Sequence, residues 1–189
     1  MELTEIDKGL ATLIAASLAA LVSLITLFIT LYTNFRTEIR SARRKTLEEF
    51  IYDVSESIHQ LVATSNILLK NKSEESRANW GEKADEAKET LKKLRPKLRY
   101  SLWGIDDQLR VLTRLPDYTR YTLESIDVAK KVVKRGSKLG DALDNCIRKC
   151  YLNGRSPRFY EIWKVTFLAW RCEKTRNDYK SIRDKKLAE

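Results

Sequence analysis

The stretch Leu10–Tyr32, LATLIAASLAALVSLITLFITLY, decides how the chain is read. From Leu10 through Phe35 no side chain is charged, and neither Pro nor Gly occurs. A helix crosses the hydrocarbon core of a bilayer with about 20 apolar residues. The run exceeds that length, and charges bracket it: Asp7 and Lys8 before, Arg36 and Arg40 after. The expectation is a short external N-terminus over residues 1–9 and a transmembrane helix over residues 10–35. The competing reading is a buried core helix, although such helices seldom run this far without a charge.

The flanks orient the span. Residues 1–9 carry Glu2, Glu5, Asp7 and Lys8, a formal −2. Just after the run come Arg36, Arg40, Arg43, Arg44 and Lys45 against Glu38, a formal +4. Lys and Arg accumulate on the cytoplasmic side of a span. The expected location is therefore the cell membrane, single-pass, with the N-terminus outside and residues 36–189 in the cytoplasm. The five cations Arg36, Arg40, Arg43, Arg44 and Lys45 are the expected contacts for anionic lipid headgroups. A cleaved signal peptide has a basic start, a shorter apolar core and a small-residue cleavage site; this run starts acidic and ends in Tyr32-Thr33-Asn34-Phe35.

One face of the run is small or hydroxyl-bearing: Thr12, Ala16, Ala19, Ser23, Thr26, Thr30 and Thr33, at alternating steps of four and three. Helices associate in lipid through close packing and interhelical hydrogen bonds, since lipid removes the hydrophobic drive. The spacing predicts a homo-oligomer joined along this seam, with a left-handed crossing of about 20°. The plainer alternative is that these hydroxyls bond their own backbone.

The remainder of the 189 residues reads as one all-α body. Pro and Gly are few, and strand-like alternation is rare. Leu47, Ile51, Val54, Ile58, Leu61, Ser65 and Leu68 continue four-three steps, either as a coiled-coil seam or as one buried stripe of a bundle helix. Asn71-Lys72-Ser73 reads as a loop with Ser73 as N-cap, ahead of Glu74 and Glu75. A second stripe holds Trp80, Ala84, Ala87, Leu91, Leu94, Leu98 and Leu102, with a kink expected at Pro96. Gly104 suits a left-handed cap, Asp106 the cap of a short third helix, and Leu115-Pro116-Asp117 a break. A helix is expected from Tyr118 to Leu152, and Gly136 and Gly140 inside it mark close helix contact or a break. Asn153-Gly154-Arg155-Ser156-Pro157 is a turn, with Ser156 as N-cap and Pro157 at the first helical position. The last helix is expected to hold Phe159, Trp163, Phe167 and Trp170, then to turn polar and fray after about Ile182. The expected architecture is the membrane helix continuing into an antiparallel bundle of about four helices.

Chemistry is sparse. Cys146 and Cys150 share a helix face; with Cys172 and His59 they formally make a Cys3His set. No paired CxxC knuckle occurs, and cysteine is a common small core residue. Reduced, packed thiols are expected in a cytoplasmic domain. Asp106-Asp107 and Glu74-Glu75 fall at helix starts, and Asp141 and Asp144 read as solvated ion pairs. No catalytic, cofactor-binding or metal-ligating residue is assigned, no cofactor is implied, and an enzyme is not expected.

The net charge is +10, and all that follows the apolar run sums to +12. That balance favours anionic partners, lipid before nucleic acid. Two basic clusters lie in the body: Lys92, Lys93, Arg95, Lys97 and Arg99, then Lys130, Lys131, Lys134, Arg135 and Lys138. Each is a solvated helix face or a phosphate-binding surface, depending on whether the side chains gather on one side. Tyr100 and Trp103, beside the first cluster, are read as core.

The layout resembles a loose type of bacterial single-pass membrane protein with an N-terminal anchor and a cytoplasmic helical bundle. The resemblance rests on the basic lead into the first bundle helix, Arg43-Arg44-Lys45 to Ile51. It rests also on the Leu-rich segment Leu94–Gly104 and on the aromatic-charged Trp170-Arg171-Cys172-Glu173-Lys174. Pro96 and Trp103-Gly104 depart from that pattern. The resemblance implies an architecture and no activity. The functional expectation is a membrane-tethered interaction or scaffold protein, self-associating and binding a further protein. The alternatives are an oligomeric pore-forming effector of toxin or phage-defence type, and a tethered nucleic-acid binder.

Overall fold

A computed structural model describes residues 2–70, 73–99 and 101–188. They form seven helices, and no strand occurs among the described residues: α1 Glu2–Glu48, α2 Ile51–Lys70, α3 Glu74–Leu98, α4 Asp106–Thr113, α5 Leu115–Thr122, α6 Ile126–Asn153 and α7 Phe159–Ala188. The chain divides into two compact units, Met1–Ala42 and Arg43–Glu189.

The first unit is a single helix. Every residue from Leu10 to Tyr32 is exposed, so its apolar surface has no protein cover. Among the described residues this is the one helix long and apolar enough to cross a membrane.

The second unit is built around α2, which packs against α3, α5 and α6; α7 lies on α6 and α4. Leu47, Ile51, Val54, Ile58, Leu61, Ser65 and Leu68 are all buried. Their seam is covered by helices of the same chain, which makes it a core stripe. Ala84, Ala87, Leu91, Leu94, Leu98 and Leu102 face it from α3 and the turn beyond.

Between α1 and α2 the chain departs from the single continuing helix expected there. The Phe50 amide reaches back only three residues, to the Leu47 carbonyl at 3.1 Å, and the Phe50 carbonyl then accepts from Val54 at 3.0 Å. This tightened turn buries Phe50, whose ring lies 4.7 Å from Lys97 Nζ. Neither Gly nor Pro marks the position in the sequence.

The expected helix over Tyr118–Leu152 is two helices, α5 and α6, separated by Leu123–Ser125. Leu115-Pro116 starts α5, with proline in the first turn where its missing N–H costs nothing. Pro96 lies inside α3, which runs on to Leu98. Gly104 is left-handed, φ +88°, but it sits in the turn before α4 and does not cap α3 directly. Asp106 does not cap α4. It is the first helical residue, and both its oxygens bind Arg95.

Gly136 and Gly140 allow close contact. A Cβ on Gly136 would overlap the Leu115 side chain, and one on Gly140 would stand 2.7 Å from Val62 Cγ2. Gly154 ends α6 in a left-handed conformation, φ 55°. Its amide bonds the Tyr151 carbonyl at 3.1 Å, while Arg155 bonds the Cys150 carbonyl at 3.1 Å, the paired bonds of a Schellman cap.

Two expectations for the start of α7 are overturned. It begins at Phe159, so Ser156 is not its N-cap and Pro157 is not its first residue. Glu161, on the third helical residue, reaches back to accept the Arg158 backbone N–H at 2.8 Å and fixes the start there. The polar end stays helical to Ala188, with Tyr179 Oη donating to Glu124 at 3.2 Å and Arg183 3.6 Å from the same carboxylate. Ser73 does hold the cap position of α3 with extended backbone, although its hydroxyl makes no cap bond; residues 71 and 72 lie outside the described residues.

Candidate functional site

The candidate membrane-contact elements start in the first unit. Thr12, Ala16, Ala19, Ser23, Thr26 and Thr30 are exposed and fall on one side of α1. The hydroxyls of Ser23, Thr26 and Thr30 donate to the carbonyls of Ala19, Val22 and Thr26 at 2.8–2.9 Å. Thr33 donates to Ile29 at 2.9 Å. These donors are used inside the helix, so a second helix would meet acceptor lone pairs and small side chains. Close approach, rather than donated hydrogen bonds, is what this face offers.

Arg36 and Arg40, four apart and exposed, follow the apolar run. The Arg36 guanidinium lies 5.7 Å over the Tyr32 ring, which joins an aromatic near the end of the run to the first cation after it. In the second unit Arg44 and Lys45 are exposed and Arg43 is half-buried.

The basic cluster on α3 is largely committed. Arg95 holds Asp106 with Nε at 2.8 Å and Nη2 at 2.6 Å; its partner's carboxyl is held below the usual carboxylate range by that hydrogen-bonded pair. Lys92 pairs with Glu89 at 2.5 Å, and Lys97 covers Phe50. Trp103 beside it is exposed, contrary to the core reading, and Tyr100 lies outside the described residues. The cluster on α6 behaves differently. Arg135 donates to the Arg171 carbonyl at 3.0 Å and to Thr175 Oγ1. Lys131, Lys134 and Lys138 stay exposed, and with Arg135, Leu168 and Arg171 they line an open groove of about 240 Å³.

Asp144 is not the solvated residue expected from sequence. It is buried between α2 and α6. Ser55 Oγ donates to its Oδ1 at 2.5 Å, Arg148 Nε donates to its Oδ2 at 2.8 Å, and Arg148 Nη2 donates to Ser55 Oγ at 3.0 Å. His59 Nε2 lies 3.8 Å from Oδ2. The serine proton is given to the carboxylate and the imidazole stands outside that bond. The closed circuit pins α2 to α6, and it does not have the serine–histidine–carboxylate order of a hydrolytic triad.

The cysteines are buried, as expected, but the formal Cys3His set is not what the fold assembles. Cys146 and Cys150 come together with Glu161, within 4.8 Å of one another. The carboxylate there is already occupied: Arg155 Nη1 and Nη2 donate to Oε2 and Oε1 at 2.7 and 2.8 Å, and the Arg158 amide adds a third bond. These donors hold the Glu161 carboxyl down at about 2. A metal would compete with these donors for the carboxylate lone pairs. The hydrogen bond to Cys146, with burial, pushes the Cys150 thiol up, and burial pushes Cys172 up to about 12.

Sequence reasoning missed the outer face of α7. Phe159, Trp163, Phe167 and Trp170 are exposed, the two tryptophans at 64% and 52%. The core instead takes Glu161, Val165, Ala169 and Cys172. Both stripes repeat at helical spacing, roughly half a turn apart, so periodicity alone does not say which faces inward.

No protein-family model, curated protein or solved structure shows a significant match to this chain.

Proposed function

We propose that the chain is a single-pass membrane-tethered interaction protein that self-associates through its anchor. In this reading Leu10–Phe35 spans the membrane, the N-terminus is external, and the body is an antiparallel cytoplasmic helical bundle that binds a further protein. The carrying observation is that Leu10–Tyr32 is exposed throughout, with no protein surface over it. So long an apolar surface is stable in lipid and not in water. The five cations after the span support the orientation by the positive-inside bias.

The seam from Thr12 to Thr30 supports self-association. Oligomeric state in mild detergent tests it. Leu at Ala16, Ala19 and Ser23 should dissociate the wild-type oligomer, while substitutions on the opposite face should leave it. A wild-type monomer, or an oligomer indifferent to the seam, would refute self-association.

A pore-forming effector is the second reading, favoured by the row of Ser23, Thr26 and Thr30 hydroxyls on that face. Ion leakage on expression that vanishes with Thr26→Val and Thr30→Val would favour it.

A further inference from the structure

We propose that the α6–α7 face of the body is a second membrane-contact surface, fitted to the anionic headgroup layer of a bilayer. The inference rests on the anchored reading above, because the tether keeps the body at high effective concentration beside lipid.

Two features meet along α7. On its outer side Trp163, Phe167 and Trp170 form a continuous exposed patch, with neighbouring ring centroids 5.9 Å apart and planes inclined by 11° and 30°. Arg171 lies 5.7 Å over the Phe167 ring and Lys174 lies 5.1 Å over Trp170. On the flank, Arg171 also lines the groove with Lys131, Lys134, Arg135 and Lys138, and the lining contains no carboxylate. Lys131, Lys134 and Lys138 make no ion pair among the described residues, so their charge is available to a ligand.

Basic side chains beside tryptophan and phenylalanine are what an interfacial helix presents to a membrane. Tryptophan concentrates at headgroup depth, where its ring meets acyl chains and its N–H meets water. Each cation near an anionic surface strengthens binding about five-fold. Single-stranded nucleic acid fits less well. It needs rings spaced to take successive bases, whereas these rings are already stacked on one another as one patch.

The test uses the full chain carrying Trp80→Phe and Trp103→Phe, so that only Trp163 and Trp170 emit. It is reconstituted in phosphatidylcholine vesicles with or without phosphatidylglycerol, with brominated acyl chains as quencher. Quenching should appear with phosphatidylglycerol and be absent without it. Lys131→Glu, Lys134→Glu, Lys138→Glu and Arg171→Glu together should abolish it; the corresponding Gln variant, which adds no negative charge, should weaken it at an unchanged melting temperature. No quenching in the anionic vesicles, or equal quenching in both, overturns the surface. So does protection of the tryptophans by single-stranded oligonucleotide but not by lipid. Carbonate extraction reads the anchor separately. If carbonate strips the chain, the anchored reading fails, and quenching by added vesicles still decides the surface.

Discussion

Arg155 grips Glu161 with two parallel hydrogen bonds of 2.7 and 2.8 Å across the turn joining α6 to α7. The glutamate side chain is 6% exposed and also accepts the Arg158 amide. One carboxylate thereby sets where α7 begins and holds the turn that Gly154 opens.

The acid limb of stability should follow from this pair. The Glu161 carboxyl is lowered from 4.5 to about 2 by Arg155, so it stabilises the fold above pH 4.5 and loses that contribution as pH falls toward 2. The shift corresponds to on the order of 3 kcal/mol. Glu161→Gln should lower stability at pH 7 and flatten the loss between pH 4.5 and 2. Urea melts of both proteins across that range measure it; parallel pH curves would contradict the assignment.

Gly136 lets α5 approach α6 until the Leu115 side chain fills the space of a missing Cβ. Gly136→Ala gains helix propensity of up to about 1 kcal/mol but overpacks the contact by about 1–3 kcal/mol. Net destabilisation is expected. Leu115→Ala in the same chain should recover part of it, and thermal melts of the single and double variants give the coupling.

The thiols should be inert in the folded state. All three are buried; Cys150 and Cys172 are held protonated at neutral pH, and Cys146, which the hydrogen bond with Cys150 lowers, is shielded by that burial. An aromatic disulfide reagent should react only as the chain unfolds. Rapid release of one equivalent from folded protein, or stoichiometric zinc lost in the Cys146→Ala and Cys150→Ala variants, would contradict the packing role.

Legibility varied with how much each signal depends on distant partners. The stripe from Leu47 to Leu68 reads correctly because its periodicity is local, and Gly154 reads because left-handed backbone favours glycine. The turn at Glu49–Phe50 carries no breaker residue; it coincides with the burial of Phe50 in the core, under Lys97. On α7 two stripes share one period. The smaller one faces inward, and the bulkier aromatic one is left outside. Asp144 looked solvated among Lys138, Arg148 and Lys149, since Ser55, which buries it, is 89 residues away.

The central claim is that Leu10–Phe35 spans a membrane and leaves the body in the cytoplasm. It is tested most directly by reporters fused after Glu189, one active only in the cytoplasm and one only outside, assayed in carbonate-washed membranes. The account predicts a membrane-retained fusion with the cytoplasmic reporter active. It also predicts that Glu at Arg36, Arg40, Arg43, Arg44 and Lys45 weakens or inverts that orientation. Activity of the external reporter in the wild type, or loss of the fusion to the carbonate wash, would contradict it.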